Sequence, residues 1–334
     1  MNPPLLQAEA LVKHYPVRGG LLARRRKVVR AVQEVSFELV DGETLGLVGE
    51  SGCGKSTLGR TVLFLEPPTD GEVRFRGRSL TRCSRREMFE LRRDFQMIFQ
   101  DPYSSLNPRL TIGEIIQEPL DIHRIGSQSK RRDQVVDLLL QVGLESSILG
   151  RYPHEFSGGQ RQRIGIARAL ALQPKMIVAD EPLSALDVSV QAQVINLMVA
   201  LQKAHDLAYL FISHDLSLVE YISDRIAVMY LGRIVETGPK AEVFTNPRHP
   251  YTRALMASVP DPNPRKRRHS APVQGETPSA LDPPGGCAFH PRCPFAIDEC
   301  RRLIPELKSV DATHQPDHLT ACIRAGELPA ERAD

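Results

Sequence analysis

Long apolar runs are missing from this chain of 334 residues: none approaches the roughly 18 to 20 residues needed to cross a bilayer. Met1 to Pro16 likewise lacks the apolar centre of a secretory signal. Both absences set the expectation of a protein that stays in the cytoplasm. Excess charge is missing too. The net charge is +3, so no global field argues for nucleic acid, and none is expected as a partner. Local basic runs at Arg24-Arg25-Arg26-Lys27, Lys130-Arg131-Arg132 and Arg265-Lys266-Arg267-Arg268 read as solvated loops or as contacts to lipid headgroups. Cysteine is sparse, with six residues, but Cys287, Cys293, Cys300 and Cys322 crowd the C-terminal part. In a reducing compartment that grouping points to a metal rather than to disulfides. The remainder, 41% hydrophobic and 25% charged, is ordinary globular balance at a length that allows two or three compact units.

The densest signal is Gly49-Glu50-Ser51-Gly52-Cys53-Gly54-Lys55-Ser56-Thr57, which fits G-x-x-x-x-G-K-[ST] at every fixed position. Thr44 to Val48 before it reads as a buried strand, and Leu58 to Leu65 after it reads as a helix. The glycines let successive backbone N–H groups turn inward, and the helix start adds its partial positive charge, so the loop should cradle phosphates. Lys55 should reach the β and γ phosphates, Ser56 should take one position on Mg²⁺, and Thr57 should bond the α phosphate. Cys53, among N–H groups at a helix start, is expected to favour the thiolate.

Around this loop the chain reads as a small β unit: strands over Leu5 to Tyr15, Val32 to Val40 and Gly71 to Gly77, with Val17 to Arg30 as a loop or hairpin insertion. Tyr15 offers a flat face on which a base could stack, or else is a half-buried edge tyrosine. Met97-Ile98-Phe99-Gln100 is a strand ending in an amide that can ligate Mg²⁺ or hold an attacking water. Thr111 to Ala171 is mostly helical by pattern, with Gly143 as a C-cap. Inside it lies Phe156-Ser157-Gly158-Gly159-Gln160, where Ser157 can cap the next helix and the glycines leave its first N–H groups bare. That is a second anion site. One chain rarely needs two for a single nucleotide, so this one should face a nucleotide held by another chain.

Met176 to Glu181 is an apolar strand that delivers two carboxylates at its C-terminal end, where open parallel sheets bind their ligands. Asp180 is expected to hold Mg²⁺, and Glu181, facing the other way, to polarise a water for attack on the γ phosphate. Ser184-Ala185-Leu186-Asp187 turns into a long amphipathic helix with Val190, Val194, Leu197, Met198 and Leu201 inward. Tyr209 to His214 is a further buried strand, whose His214 could donate to the γ phosphate. Closing strands follow at Ile226 to Met229 and Arg233 to Val235, then a short helix through Ala257 and a Pro-rich linker.

Together these residues resemble the ATP-binding cassette (ABC) family of transporter ATPases over about residues 5 to 260, the Ser157-Gly158-Gly159-Gln160 loop being the specific mark, with Phe156 where leucine is usual. Arg248 to Leu255 with the cysteine segment resembles the dipeptide/oligopeptide importer subfamily. The resemblance implies an α/β phosphate-loop NTPase: a RecA-like core with an antiparallel β subdomain and a helical subdomain at about 101–172, within residues 1–259, and a C-terminal extension over 260–334. It implies Tyr15 as adenine stacker, Gln100 as coupling-loop glutamine, Asp187 in the cross-dimer loop and His214 as switch histidine. ATP and Mg²⁺ are the implied cofactors. A second, related ATPase subunit, two transmembrane permease subunits and a solute-binding protein are the implied partners, on the cytoplasmic side of the cell inner membrane. Relatives carry nickel, glutathione or opines, and a soluble ABC ATPase is the non-transport alternative.

The cysteine spacings, five, six and twenty-one intervening residues, lack C-x-x-C knuckles and leave zinc, an iron-sulfur cluster and free thiols open. His290, His314 and His318 keep a mixed zinc site possible. The subfamily resemblance implies [4Fe-4S] at Cys287, Cys293, Cys300 and Cys322 in a structural role. Cys83 stands apart.

Overall fold

The computed structural model describes residues 4–17, 27–101, 103, 105–258, 275–311 and 313–328. Two of the basic runs, apart from Lys27, lie outside the described residues. In the third, Arg131 donates to Asp121 and to the Ile125 carbonyl.

Along the chain, β1 (Leu6–Pro16) and β2 (Val28–Leu39) lead to β3 (Thr44–Val48), α1 (Lys55–Val62), β4 (Asp70–Phe75) and β5 (Arg78–Ser79). Then come α2 (Arg85–Leu91), β6 (Phe95–Ile98), α3 (Ile112–Ile122), α4 (Gln128–Gln141) and α5 (Gly158–Leu170). The series continues with β7 (Met176–Asp180), α6 (Val188–His205), β8 (Ala208–Ile212), α7 (Leu216–Ile222), β9 (Arg225–Tyr230) and β10 (Arg233–Pro239). Last are α8 (Lys240–Thr245), α9 (Pro250–Ala257), β11 (Lys308–Ser309) and β12 (Leu319–Thr320). The elements fall into two compact units, one made of 1–39, 44–81 and 213–334, the other of 40–43 and 82–212.

The first unit carries an antiparallel sheet in the order β2-β1-β4-β5 and a second run of strands in the order β11-β12-β10-β9-β3. β3 pairs parallel with β9, from Leu45 opposite Arg225 to Val48 opposite Val228, and all five β3 residues are buried. A strand buried on both faces is mostly apolar, which is why Thr44 to Val48 was legible as a run rather than an alternation. The C-terminal segment, without visible periodicity, supplies β12, which pairs with β10 through Glu236 and Thr237.

The second unit holds β8-β7-β6, parallel throughout, with Met176 opposite both Phe95 and Ala208. Every residue of β7 and of β8 is buried. Helices α3, α4 and α5 occupy the stretch read as helical, each started by a capping hydroxyl: Thr111, Ser127 and Ser157. Helix α2 was not foreseen. Its Ser84-Arg85-Arg86-Glu87 is a capping box with both reciprocal bonds made, but it buries no residue and so shows no apolar stripe.

Candidate functional site

In the first unit β3 runs into the phosphate loop and the loop into α1. Gly54 is the N-cap of α1 in the left-handed region (φ 107°), and a Cβ there would lie 2.0 Å from the Ala31 carbonyl oxygen, so only glycine fits. No side chain caps the helix, which leaves its first N–H groups for an anion. Lys55 is buried, with Nζ donating to the carbonyls of Gly49 at 2.7 Å and Glu50 at 3.0 Å. The cation thereby spans the loop that should receive phosphate. Ser56 and Thr57 are half-buried, while Ser51 and Gly52 are exposed.

Cys53 corrects an expectation. Its side chain is buried, and burial pushes the thiol up despite the pull of Lys55, so the group is a thiol and not a thiolate. Helix-start geometry favours the anion, but desolvation outweighs it here.

Tyr15, at the end of β1, is half-buried; its hydroxyl donates to Glu66 and shares a hydrogen bond with Thr57 of the loop. Lys13 Nζ sits 5.1 Å from its ring centroid. The first unit also contains His214, exposed, between Ser213, whose N–H donates to the Leu47 carbonyl at 3.2 Å, and Asp215, the cap of α7.

The second unit gathers Gln100, Asp180, Glu181, Asp187 and the Ser157 to Gln160 loop. Asp180 ends β7 and is 1% exposed. Glu181 takes a left-handed backbone (φ 45°), uncommon for a residue with a Cβ. Its N–H donates to the Ile212 carbonyl and its own carbonyl accepts from Ser184 Oγ, bonds that hold the strained turn. Gln100 Nε2 donates to the Glu181 carboxylate at 2.9 Å. Ser157 and Gln160 form a capping box at the start of α5, both exposed. A Cβ on Gly159 would meet Val190 Cγ1 at 2.3 Å, so the glycine permits α5 to approach α6 closely. Phe156, the departure from the usual leucine, is buried with the Arg151 guanidinium 4.6 Å from its ring centroid. Asp187 is the N-cap position of α6 but makes no side-chain cap bond.

Two contacts at the phosphate loop have no counterpart in the sequence reading. The Glu50 N–H donates to Tyr251 Oη at 2.8 Å, and the Glu50 carboxylate accepts from Arg292. These partners are 201 and 242 residues away, and nothing local announces them.

The four clustered cysteines line one cavity, about 360 Å³ including space open to solvent, with apolar Phe289, Phe295 and Ile323 among its walls. All six cysteines are free. Burial, followed by the proximity of the other cysteines, pushes Cys293 up to about 11, and burial likewise raises Cys287 and Cys322. As placed, no three His, Cys, Asp or Glu groups among the described residues stand at metal-binding geometry. Four thiols on one cavity are nonetheless the donor type that a soft, thiophilic group takes. Of the histidines held in reserve, His290 lines the same cavity, His314 is exposed against Asp311, and His318 Nε2 meets the buried Glu236 carboxylate at 2.7 Å. His318 is thus committed elsewhere.

A phosphate loop in one unit, and a strand ending in two carboxylates beside a Ser-Gly-Gly helix start in the other, are the parts of a nucleotide-hydrolysing ATPase. The family model for "ABC transporter" matches residues 32–184, and that for "Oligopeptide/dipeptide transporter, C-terminal region" matches residues 235–300. The chain is 54% identical over 307 residues to the probable peptide ABC transporter ATP-binding protein y4tS of Sinorhizobium fredii, covering 92% of this chain and 87% of the relative. It is 52% identical over 321 residues to the oligopeptide transport ATP-binding protein AppF of Bacillus subtilis, covering 95% and 96%. Among solved structures, the dimeric post-hydrolysis cassette MJ0796 bound to ADP and Pi aligns at a TM-score of 0.63 with 28% identity, covering 70% of this chain and 98% of that one. The chain belongs to the ABC transporter family as an ATP-binding protein, and its activity is ATP hydrolysis. No helix among the described residues is long and apolar enough to cross a membrane.

Proposed function

We propose that this ATPase powers an importer of dipeptides or oligopeptides, acting on two transmembrane permease subunits supplied by a solute-binding protein, from the cytoplasmic face of the inner membrane. One observation carries the solute class: the match over residues 235–300 to the oligopeptide/dipeptide transporter C-terminal region. The two named relatives point the same way.

Each residue has a role in this reading. Tyr15 stacks on the adenine, and the N–H groups of the Gly49 to Thr57 loop with Lys55 bind the phosphates. Ser56, Asp180 and Gln100 hold Mg²⁺, which when bound neutralises phosphate charge. Glu181 accepts a proton from the attacking water, Gln100 orients that water, and His214 donates to the γ phosphate. Ser157, Gly158, Gly159 and Gln160, with Asp187, serve the nucleotide of a second ATPase chain, so two chains close head to tail across ATP. The start of α5 supports this: Ser157 and Gln160 are exposed and cap the helix, and the two residues between them are glycines, which put no side chain in the way of a phosphate. Closure then depends on the γ phosphate, and hydrolysis releases it. The second chain in this reading is a related ATPase subunit, with a copy of this chain as the alternative.

Cys287, Cys293, Cys300 and Cys322 hold a [4Fe-4S] cluster in a structural role, with zinc as the alternative. A segment with so little helix or strand of its own gains from such a cross-link.

The experiment is ATP-driven uptake into proteoliposomes containing the permease subunits, this ATPase and its partner. Labelled di- and tripeptides should accumulate and nickel, glutathione and opines should not; accumulation of one of those instead of peptides would overturn the solute class.

A further inference from the structure

The C-terminal segment reaches back and grips the phosphate loop. Arg292 donates from Nη1 to Glu50 Oε2 at 2.9 Å and from Nη2 to Oε1 at 3.1 Å, a two-pronged pairing that fixes the carboxylate in orientation as well as position. Thr277 Oγ1 donates to the same Oε2, and Arg292 also approaches Tyr230 Oη at 3.4 Å. The Arg292 side chain is 7% exposed and that of Glu50 24%, so water screens this pair less than an ordinary surface bridge. Burial pushes the Glu50 carboxyl up, yet the hydrogen bonds from Arg292 and Thr277 overrule it and hold the group below the usual carboxylate range.

Glu50 follows the first glycine of the loop, and its main chain is held as well: the N–H bonds to Tyr251, and the carbonyl accepts from Lys55. Behind these contacts the rings of Tyr230, Tyr251 and Phe289 pack with centroids 4.6 to 5.4 Å apart, and all three are fully buried or nearly so. Phe289 and Arg292 stand within the same short turn as Cys287 and Cys293, and the Arg292 N–H donates to the Phe289 carbonyl. The turn that presents two of the cysteines is therefore the turn that presents the guanidinium.

We propose that Arg292 is a positioning residue for ATP binding: acting through Glu50, it pre-orders the phosphate loop, and it makes loop order depend on the Cys287 to Cys293 turn. The proposal rests on the phosphate loop being where ATP binds. A loop already ordered gives up less conformational freedom when phosphate arrives, so losing the grip weakens binding and leaves the chemical step alone.

The test measures the dissociation constant of a fluorescent ATP analogue on the full chain in its importer complex, together with KM, kcat and the thermal midpoint. Arg292→Met should weaken binding and raise KM by about tenfold, the size expected for losing one charged hydrogen bond, with kcat at saturating ATP within about twofold. Glu50→Gln should weaken binding by a similar factor, and the double variant should bind no more weakly than either single one, since the residues act as a unit. Arg292→Lys should recover part of the loss, keeping the charge but not the fork. Cys293→Ser should weaken ATP binding in the wild-type background and add little to Arg292→Met. Wild-type affinity in Arg292→Met, a fall in kcat at unchanged KM, or effects that multiply in the double variant would each overturn the proposal. Should Arg292→Met fold poorly, Glu50→Gln alone decides, because wild-type affinity there removes the link. Failure of the underlying reading looks different: Lys55→Ala would then bind ATP as the wild type does.

Discussion

Gln100 and Glu181 are joined by a 2.9 Å hydrogen bond from amide nitrogen to carboxylate, linking the residue just past β6 to the one that follows β7. Glu181 holds a left-handed backbone (φ 45°), and the Gln100 amide is a fixed partner for its carboxylate. Removing the amide should take away a bond that orients the Glu181 carboxylate. We expect Gln100→Ala to lower kcat by about 10- to 100-fold, within the range for mispositioned acid-base catalysis, while ATP affinity changes less than about threefold. Steady-state phosphate release with parallel binding measurements checks it, and an unchanged kcat contradicts the orienting role.

How much of this was legible in the sequence depended on how locally each feature is determined. Strands β3, β7 and β8 are buried at every residue, and such strands read as mostly apolar runs, so both their places and the residues at their ends could be read. The Ser157 cap was readable for a similar reason, since its partner Gln160 is three residues on. Helix α2 carried an equally local signal in Ser84 and Glu87, but without a buried face it left no periodicity to notice. Strands of two residues such as β12 are too short to show any pattern. The environment of Cys53 was misread because burial is set by the fold, whereas the helix start is visible in the spacing. The Arg292 grip on Glu50 joins distant parts of the chain, and no single-sequence pattern encodes it.

His249 gives the protein an acid-sensitive stability. The ring is 1% exposed, its Nδ1 accepts from the Tyr251 N–H at the start of α9, and burial depresses its pKa to about 4 in spite of nearby Glu236. Below about pH 6.5 the unfolded chain takes up a proton that the folded chain refuses. Stability attributable to His249 is therefore present above pH 6.5 and falls as pH drops toward about 4, by roughly 3 kcal/mol across the window. Urea unfolding at pH 7, 6 and 5 measures the slope. His249→Asn keeps an N-cap acceptor and should flatten it; an unchanged slope in that variant assigns the acid sensitivity to another group.

The cysteine site makes a spectroscopic prediction. Protein purified without oxygen should be brown, with broad visible absorption that bleaches on oxidation, and should contain about four iron atoms per chain. Stripping the iron should lower the thermal midpoint, since the C-terminal segment would lose its cross-link. A colourless protein holding zinc would replace the cluster with the alternative; a metal-free protein of undiminished stability would contradict both.

In the proposed mechanism two ATPase chains meet across ATP, and Glu181 activates the water that releases the γ phosphate holding them together. The most direct measurement is size-exclusion chromatography with light scattering on Glu181→Gln, mixed with its partner ATPase subunit, in ATP-Mg²⁺ and in ADP-Mg²⁺. A stable two-chain species in ATP alone, with turnover reduced by about 100-fold or more, is the predicted result. Chains that bind ATP yet remain separate, or a variant that hydrolyses ATP at the wild-type rate, would contradict it.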